Sequence, residues 1–297
     1  DRRQFLAKGG AAGAAGLLST MLSEQAAANP EWSIPNKAKE PARVLVAFLY
    51  PPADVVNEGR MEDSWRGHHW FTWPGNQFQP EQQESKFTEK IRELAQSIGL
   101  DVEFAPQAIY QEAKMQEFIQ NAKARPLDAV LIVNFWNSLS KWAWQMAMES
   151  APTAIVYHSV GSNHQLPPDY LRNAEGIYYI HSIENWEEIE RGLRAVHAKK
   201  MLAQSRLLRI AGKLPESRKA MEQRLGVEIV SAPAEESNAL FDSIPDDDEI
   251  VKQAMAFKRQ ATDVLDIEDQ YFVDAKRAHR TVQQNMQRYG ADEITIE

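Results

Sequence analysis

Three stretches of this sequence set flat aromatic rings beside amide, hydroxyl and imidazole groups, and each follows an apolar run. The first, Pro51 to Pro80, carries Trp65, Trp70, Phe71, Trp73 and Phe78, with Arg66, His68 and His69 among them. The second is Asn134-Phe135-Trp136-Asn137-Ser138, leading to Trp142 and Trp144. The third is Tyr157-His158-Ser159-Val160-Gly161-Ser162-Asn163-His164. Aromatic faces stack on the C–H faces of a sugar while neighbouring polar groups take its hydroxyls. Candidate substrate contacts are therefore Trp65, His68, His69, Trp70, Trp73, Asn134, Trp136, Asn137, His158, Asn163 and His164. Aromatic enrichment fits a subunit interface equally well. Both readings hold if the site forms between subunits.

Other chemistries find less support. His158 and His164 can ligate a metal, accept a proton or donate a hydrogen bond, but their spacing matches no metal signature and the chain has no His-Glu-x-x-His pair. Ser159 lacks a Gly-x-Ser-x-Gly elbow, and no Gly-x-x-x-x-Gly-Lys loop is present to cradle phosphates. With Cys 0, thiolate zinc sites, iron-sulfur clusters, disulfides and cysteine nucleophiles are excluded from this chain. The acidic run Asp246-Asp247-Asp248-Glu249 follows Pro245 and suits a helix start, where carboxylates favour the helix dipole. No catalytic residue can be named from these patterns.

The elements that must position the candidates alternate. Arg43 to Tyr50 is a continuous apolar run expected of a strand covered on both faces. Helical spacing follows in Phe87, Ile91, Leu94, Ala95 and Ile98, stopped by Gly99. Further strands are expected at Val102 to Ala105, Ala129 to Asn134, Thr153 to Tyr157 and Ile177 to Ile180, with helical segments between them. A long helix from Asn185 to about Gln204 opens on a capping box in which Glu188 reaches back to Asn185. A second unit follows: strands at Leu207 to Ile210 and Gly226 to Val230, helices at Asp247 to Arg259 and Asp269 to Tyr289, and a last strand at Glu293 to Glu297. Such alternation predicts an α/β protein of two successive Rossmann-like three-layer domains with mainly parallel sheets, the second truncated. In open parallel sheets ligands sit beyond the carboxyl ends of the strands, where strand order reverses. The three polar and aromatic stretches lie after strands, so they are expected on one rim.

The opening Arg2-Arg3-Gln4-Phe5-Leu6, the small apolar stretch Gly9 to Leu22 and Ala26-Ala27-Ala28 form a three-part export signal. The Arg pair resembles the twin-arginine motif, with Lys8 one place beyond the common lysine position. Expected divisions are a twin-arginine signal peptide at 1–28, a linker at 29–42, a first Rossmann-like domain at 43–204 and a second, incomplete one at 205–297. The expected setting is periplasmic or otherwise exported, with the twin-arginine translocase a partner during export. The chain begins without Met and stops inside an alternating strand pattern, so a fragment is expected at both ends.

Length and charge bound the reading. At 297 residues the chain suits two domains. With 43% hydrophobic and 25% charged residues it is ordinary globular material. Lys+Arg 33 against Asp+Glu 42, a formal charge of -9, argues against a grip on nucleic acid phosphates. Small neutral ligands and metal ions fit better.

The order of pieces resembles the amino-terminal part of the L-fucose isomerase-like family, which includes L-arabinose isomerases. The resemblance rests on the Leu127 to Val133 strand with its Asn134-Phe135-Trp136 exit, the long helix into Ser205 to Lys213, the Leu225 to Val230 strand and the Gly290 to Glu297 segment. It covers most of residues 43 to 297. It implies two Rossmann-like domains, a third mainly β domain, assembly into a homo-oligomer, and interconversion of aldoses and ketoses. It also implies a divalent metal, usually Mn2+, whose Glu and Asp ligands lie beyond Glu297 and whose His lies farther still, so that no metal ligand falls in this chain. The metal would polarise the sugar's carbonyl and hydroxyl while carboxylates move a proton or hydride between adjacent carbons. Trp136 and the Trp65 to Trp73 cluster are candidates for covering a neighbouring subunit's sugar. The chain is accordingly expected to be the amino-terminal portion of an exported sugar isomerase-like protein. The alternative is a non-catalytic periplasmic carbohydrate-binding or sensing module.

Overall fold

The computed structural model describes residues 38–58, 79–158, 167–182, 184–211, 218–261, 264 and 266–296. Lys39–Ala203 forms one compact unit, and Gln204–Glu297 belongs to a second. Both are layered α/β structures of Rossmann-like type with parallel sheets.

The first unit is built on five parallel strands: β1 (Arg43–Leu49), β2 (Asp101–Phe104), β3 (Ala129–Asn134), β4 (Ala154–His158) and β5 (Ile177–His181), in the order β2-β1-β3-β4-β5. β3 and β4 are buried at every residue, and β1 at every residue but Arg43. A parallel strand covered on both faces has no solvent side to make polar, which explains the unbroken apolar runs. β2 lies at an edge and alternates between exposed and half-buried positions.

Among the described residues six helices accompany this sheet: α1 (Ala53–Asn57), α2 (Pro80–Ile98), α3 (Glu112–Lys123), α4 (Ser140–Glu149), α5 (Asp169–Arg172) and α6 (Trp186–Ala203). Phe87 of α2 packs its ring 5.1 Å from Phe135, 5.5 Å from Tyr157 and 4.5 Å from Trp186 at the start of α6. Asn134 and His158, one residue away along their strands, instead meet Ser140 of α4. Successive strand residues point to opposite faces, so α2 and α6 cover one face of the sheet and α4 the other. Gly99 ends α2 at φ 86, with its N–H on the Ala95 carbonyl. That left-handed cap favours glycine.

The start of α6 departs from the expected capping box. Asn185 does cap, accepting from the Glu188 N–H at 3.3 Å. The Glu188 carboxylate is taken by the Tyr178 hydroxyl and by Arg191, while the Asn185 N–H donates to the Tyr157 hydroxyl at 2.7 Å. A buried tyrosine on the adjoining sheet replaces the reciprocal half of the box.

The second unit contains β6 (Arg206–Ile210), α7 (Arg218–Leu225), β7 (Glu228–Ala232), α8 (Ala234–Ser243), α9 (Asp248–Gln260), α10 (Asp269–Tyr289) and β8 (Glu293–Ile296). Its strands are parallel in the order β7-β6-β8. Leu208, Ile210, Ala232, Met286 and Ala291 form its sheet core. Ile244, Ile250, Ala254 and Val273 form a smaller core where α9 meets α10. The acidic run 246–249 opens α9: Asp247 is the N-cap and accepts from the Ile250 N–H at 2.8 Å. Asp246 lies 3.3 Å from Arg277.

Candidate ligand site at the strand ends

The strand order of the first unit reverses between β1 and β3, and the crevice beyond the carboxyl ends of such strands is where open α/β sheets bind ligands. Strand register sets Leu49, Asn134, His158 and His181 in one row at that end. Three of the four are polar, each closing an otherwise apolar run.

Asn134 and His158 are buried, at 0% and 1% exposure. The Trp136 N–H donates to Asn134 Oδ1 at 3.0 Å, which fixes the orientation of the amide. Asn134 Nδ2 then donates to His158 Nδ1 at 3.0 Å and to Ser140 Oγ at 3.3 Å. The Ser140 hydroxyl donates to the Asn137 carbonyl at 2.7 Å. An imidazole nitrogen that accepts from an amide carries no proton, so this network assigns the neutral tautomer with hydrogen on Nε2. That Nε2–H is buried and has no hydrogen-bond partner among the described residues.

Burial pushes the His158 imidazole down from its usual range to about 3, and the nearby His181 pushes it the same way. The His181 ring lies 5.1 Å away and the Tyr179 ring 6.3 Å away. A base so weak takes no proton near neutral pH. With Nδ1 accepting from Asn134, what His158 offers at this site is its open Nε2–H. Burial raises Tyr179 to about 12, with the Trp144 indole acting in the opposite direction.

Of the other candidates, Trp136 is 1% exposed, its ring enclosed in the core. Asn137 begins a single 3-10 turn, Asn137–Leu139, and its side-chain Oδ1 is buried with no hydrogen-bond partner among the described residues. The structure thus brings Asn134, Trp136, Asn137 and His158 together. Trp65, His68, His69, Trp70, Trp73, Asn163 and His164 lie outside the described residues. Ser140 and Tyr179 belong to the same cluster, although neither stands out by sequence pattern.

On the opposite face, the end of β1 borders an open cleft of about 630 Å³ lined by Tyr50, Ser85 and Thr88, by three glutamates, Glu81, Glu84 and Glu89, and by one cation, Arg92. The Tyr50 hydroxyl donates to Glu84, and Glu81 accepts from the Ala53 N–H at 2.9 Å. Burial first, then Glu84, drives the Tyr50 hydroxyl far above its ordinary pKa, so it stays protonated. This cleft is acidic, whereas the Asn134–His158 cluster is neutral.

Among the described residues no three His, Asp or Glu side chains converge to hold a metal ion. Nor is any described helix long and apolar enough to cross a membrane.

No family model and no curated protein matches the chain. Among solved structures, a putative two-component system response regulator/GGDEF domain protein aligns over 86% of this chain and 91% of its own, at 12% identity and a TM-score of 0.31.

Proposed function

We propose that the first unit is the recognition domain of a carbohydrate-handling protein and holds a small neutral polyhydroxylated ligand, a monosaccharide, at the ends of β3 and β4. One observation carries this reading. At the strand ends, next to the reversal of strand order, the buried polar atoms left open among the described residues include a donor, His158 Nε2–H, an acceptor, Asn137 Oδ1, and the Tyr179 hydroxyl. A sugar hydroxyl satisfies both kinds of group, whereas a phosphate or carboxylate would satisfy the donor alone. The cluster also carries no formal charge, which disfavours an ionic ligand.

In this reading Asn134 orients, His158 donates, and Ser140 and the Trp136 N–H hold Asn134 in place. Aldose–ketose isomerisation, together with the metal it needs, would belong to a longer protein. The proposed exported setting and the twin-arginine translocase rest on residues 1–28, and a homo-oligomer rests on the family resemblance.

Isothermal titration calorimetry with a panel of aldoses and ketoses tests the proposal. At least one monosaccharide is expected to bind, with affinity falling about tenfold or more in Asn137→Leu, the loss of roughly one buried hydrogen bond. Absence of heat across the panel, or equal affinity in the variant, would overturn it.

A further inference from the structure

We infer that His158 is the residue that selects the ligand atom: its Nε2–H, locked as a donor by Asn134, donates to an uncharged acceptor oxygen of the ligand and turns away cations. This rests on the sugar-site reading and names the atom that reads the substrate. Three facts lead to it. The Trp136 N–H occupies Asn134 Oδ1, so the amide cannot turn to offer His158 its oxygen. The amide hydrogens therefore face Nδ1, with the Ser140 hydroxyl on the same amide. On the other side of the ring, Nε2 has no partner among the described residues although the residue is 1% exposed. Buried polar groups in folded proteins are nearly always paired, and an open one asks for a ligand or a water.

The same lock bears on metals. Coordination through Nε2 needs a lone pair there, and the Asn134 hydrogen bond places the proton at that position. Two imidazoles on adjacent strands, His158 and His181, invite a metal reading by proximity. The tautomer removes His158 from it. A carbonyl or hydroxyl oxygen remains as the partner that fits, as in an open-chain or cyclic sugar.

Long-range 15N–1H correlation spectra of the His158 ring, recorded on the ligand-free protein, test the lock directly. The expected result is the Nε2–H tautomer, constant from about pH 5 to 8. In Asn134→Asp the carboxylate accepts from both the Trp136 N–H and Nδ1–H, so the tautomer is expected to reverse and sugar affinity to fall at least tenfold. Should the buried carboxylate prevent folding, His158→Gln, which keeps an N–H donor near the Nε2 position, is expected to stay within about threefold of the parent. His158→Leu is expected to lose tenfold or more. An Nδ1–H tautomer in the parent protein overturns the lock whether or not sugars bind. Equal sugar affinity in His158→Leu and the parent overturns the selection. The Nε2–H tautomer with no sugar binding at all removes the sugar reading, and the selecting role falls with it.

Discussion

Asn134 takes its role from what surrounds it: with its carbonyl held by Trp136, it has only N–H groups left to give, and His158 must accept one. Held neutral, His158 contributes to stability in a pH-dependent way. Its folded pKa, about 3, lies below the ordinary 6.5, so between those values the unfolded chain binds the extra proton. Stability from this group is complete above about pH 6.5 and is lost as pH falls toward about 3, with a limiting slope of about 1.4 kcal/mol per pH unit. Urea unfolding at about pH 7 and pH 5 should therefore show the parent losing up to about 2 kcal/mol more than His158→Phe. An equal loss in both proteins would mean that His158 is not held neutral by the fold. Much of this cluster can be anticipated from the sequence, because Asn134, His158 and His181 each place a polar side chain at the end of an apolar run. Ser140 cannot, since its part depends on a contact across the 18 positions to His158.

Among the elements, strand runs with continuous apolar character are readable to within a residue or two: β3 falls at Ala129–Asn134, as its sequence predicts, and β5 extends one residue to His181. α7 and α8 are harder to anticipate because neither buries a residue, so neither carries an apolar stripe. The entry to β5 depends on Gly176. Its φ is 81, and its carbonyl accepts from the Ala154 N–H at 2.8 Å. A Cβ there would lie 2.6 Å from the Pro152 carbonyl oxygen, a backbone atom that cannot swing aside. Gly176→Ala should destabilise the protein by about 2 kcal/mol, combining left-handed backbone strain with overpacking. Thermal melting of the two proteins checks this. An unchanged midpoint would show that the β4–β5 entry yields at little cost. Because β5 carries His181 beside His158, a loosened entry would also disturb the strand-end row.

For the molecule as a whole, the parallel alternation of strands and helices is accessible from sequence because the central strands are apolar on both faces. The strand order is not, since it depends on pairing between distant segments. That order, β2-β1-β3-β4-β5, puts the reversal beside Asn134, while the alternation of successive side chains sets the neutral cluster on one face of the sheet and the acidic Tyr50–Glu84 cleft on the other. An acidic chain, at a formal -9, with a neutral buried network suits an uncharged ligand better than an anion. The central claim is that this ligand is a sugar held at the ends of β3 and β4. The most direct measurement is a 15N–1H NMR titration of the protein with the monosaccharide that gives the largest calorimetric response. Backbone and side-chain shifts are predicted at Asn134, Trp136, Asn137 and His158, with Glu81, Glu84 and Glu89 unmoved. Shifts confined to the Tyr50–Glu84 cleft, or none at saturating sugar, would contradict the account.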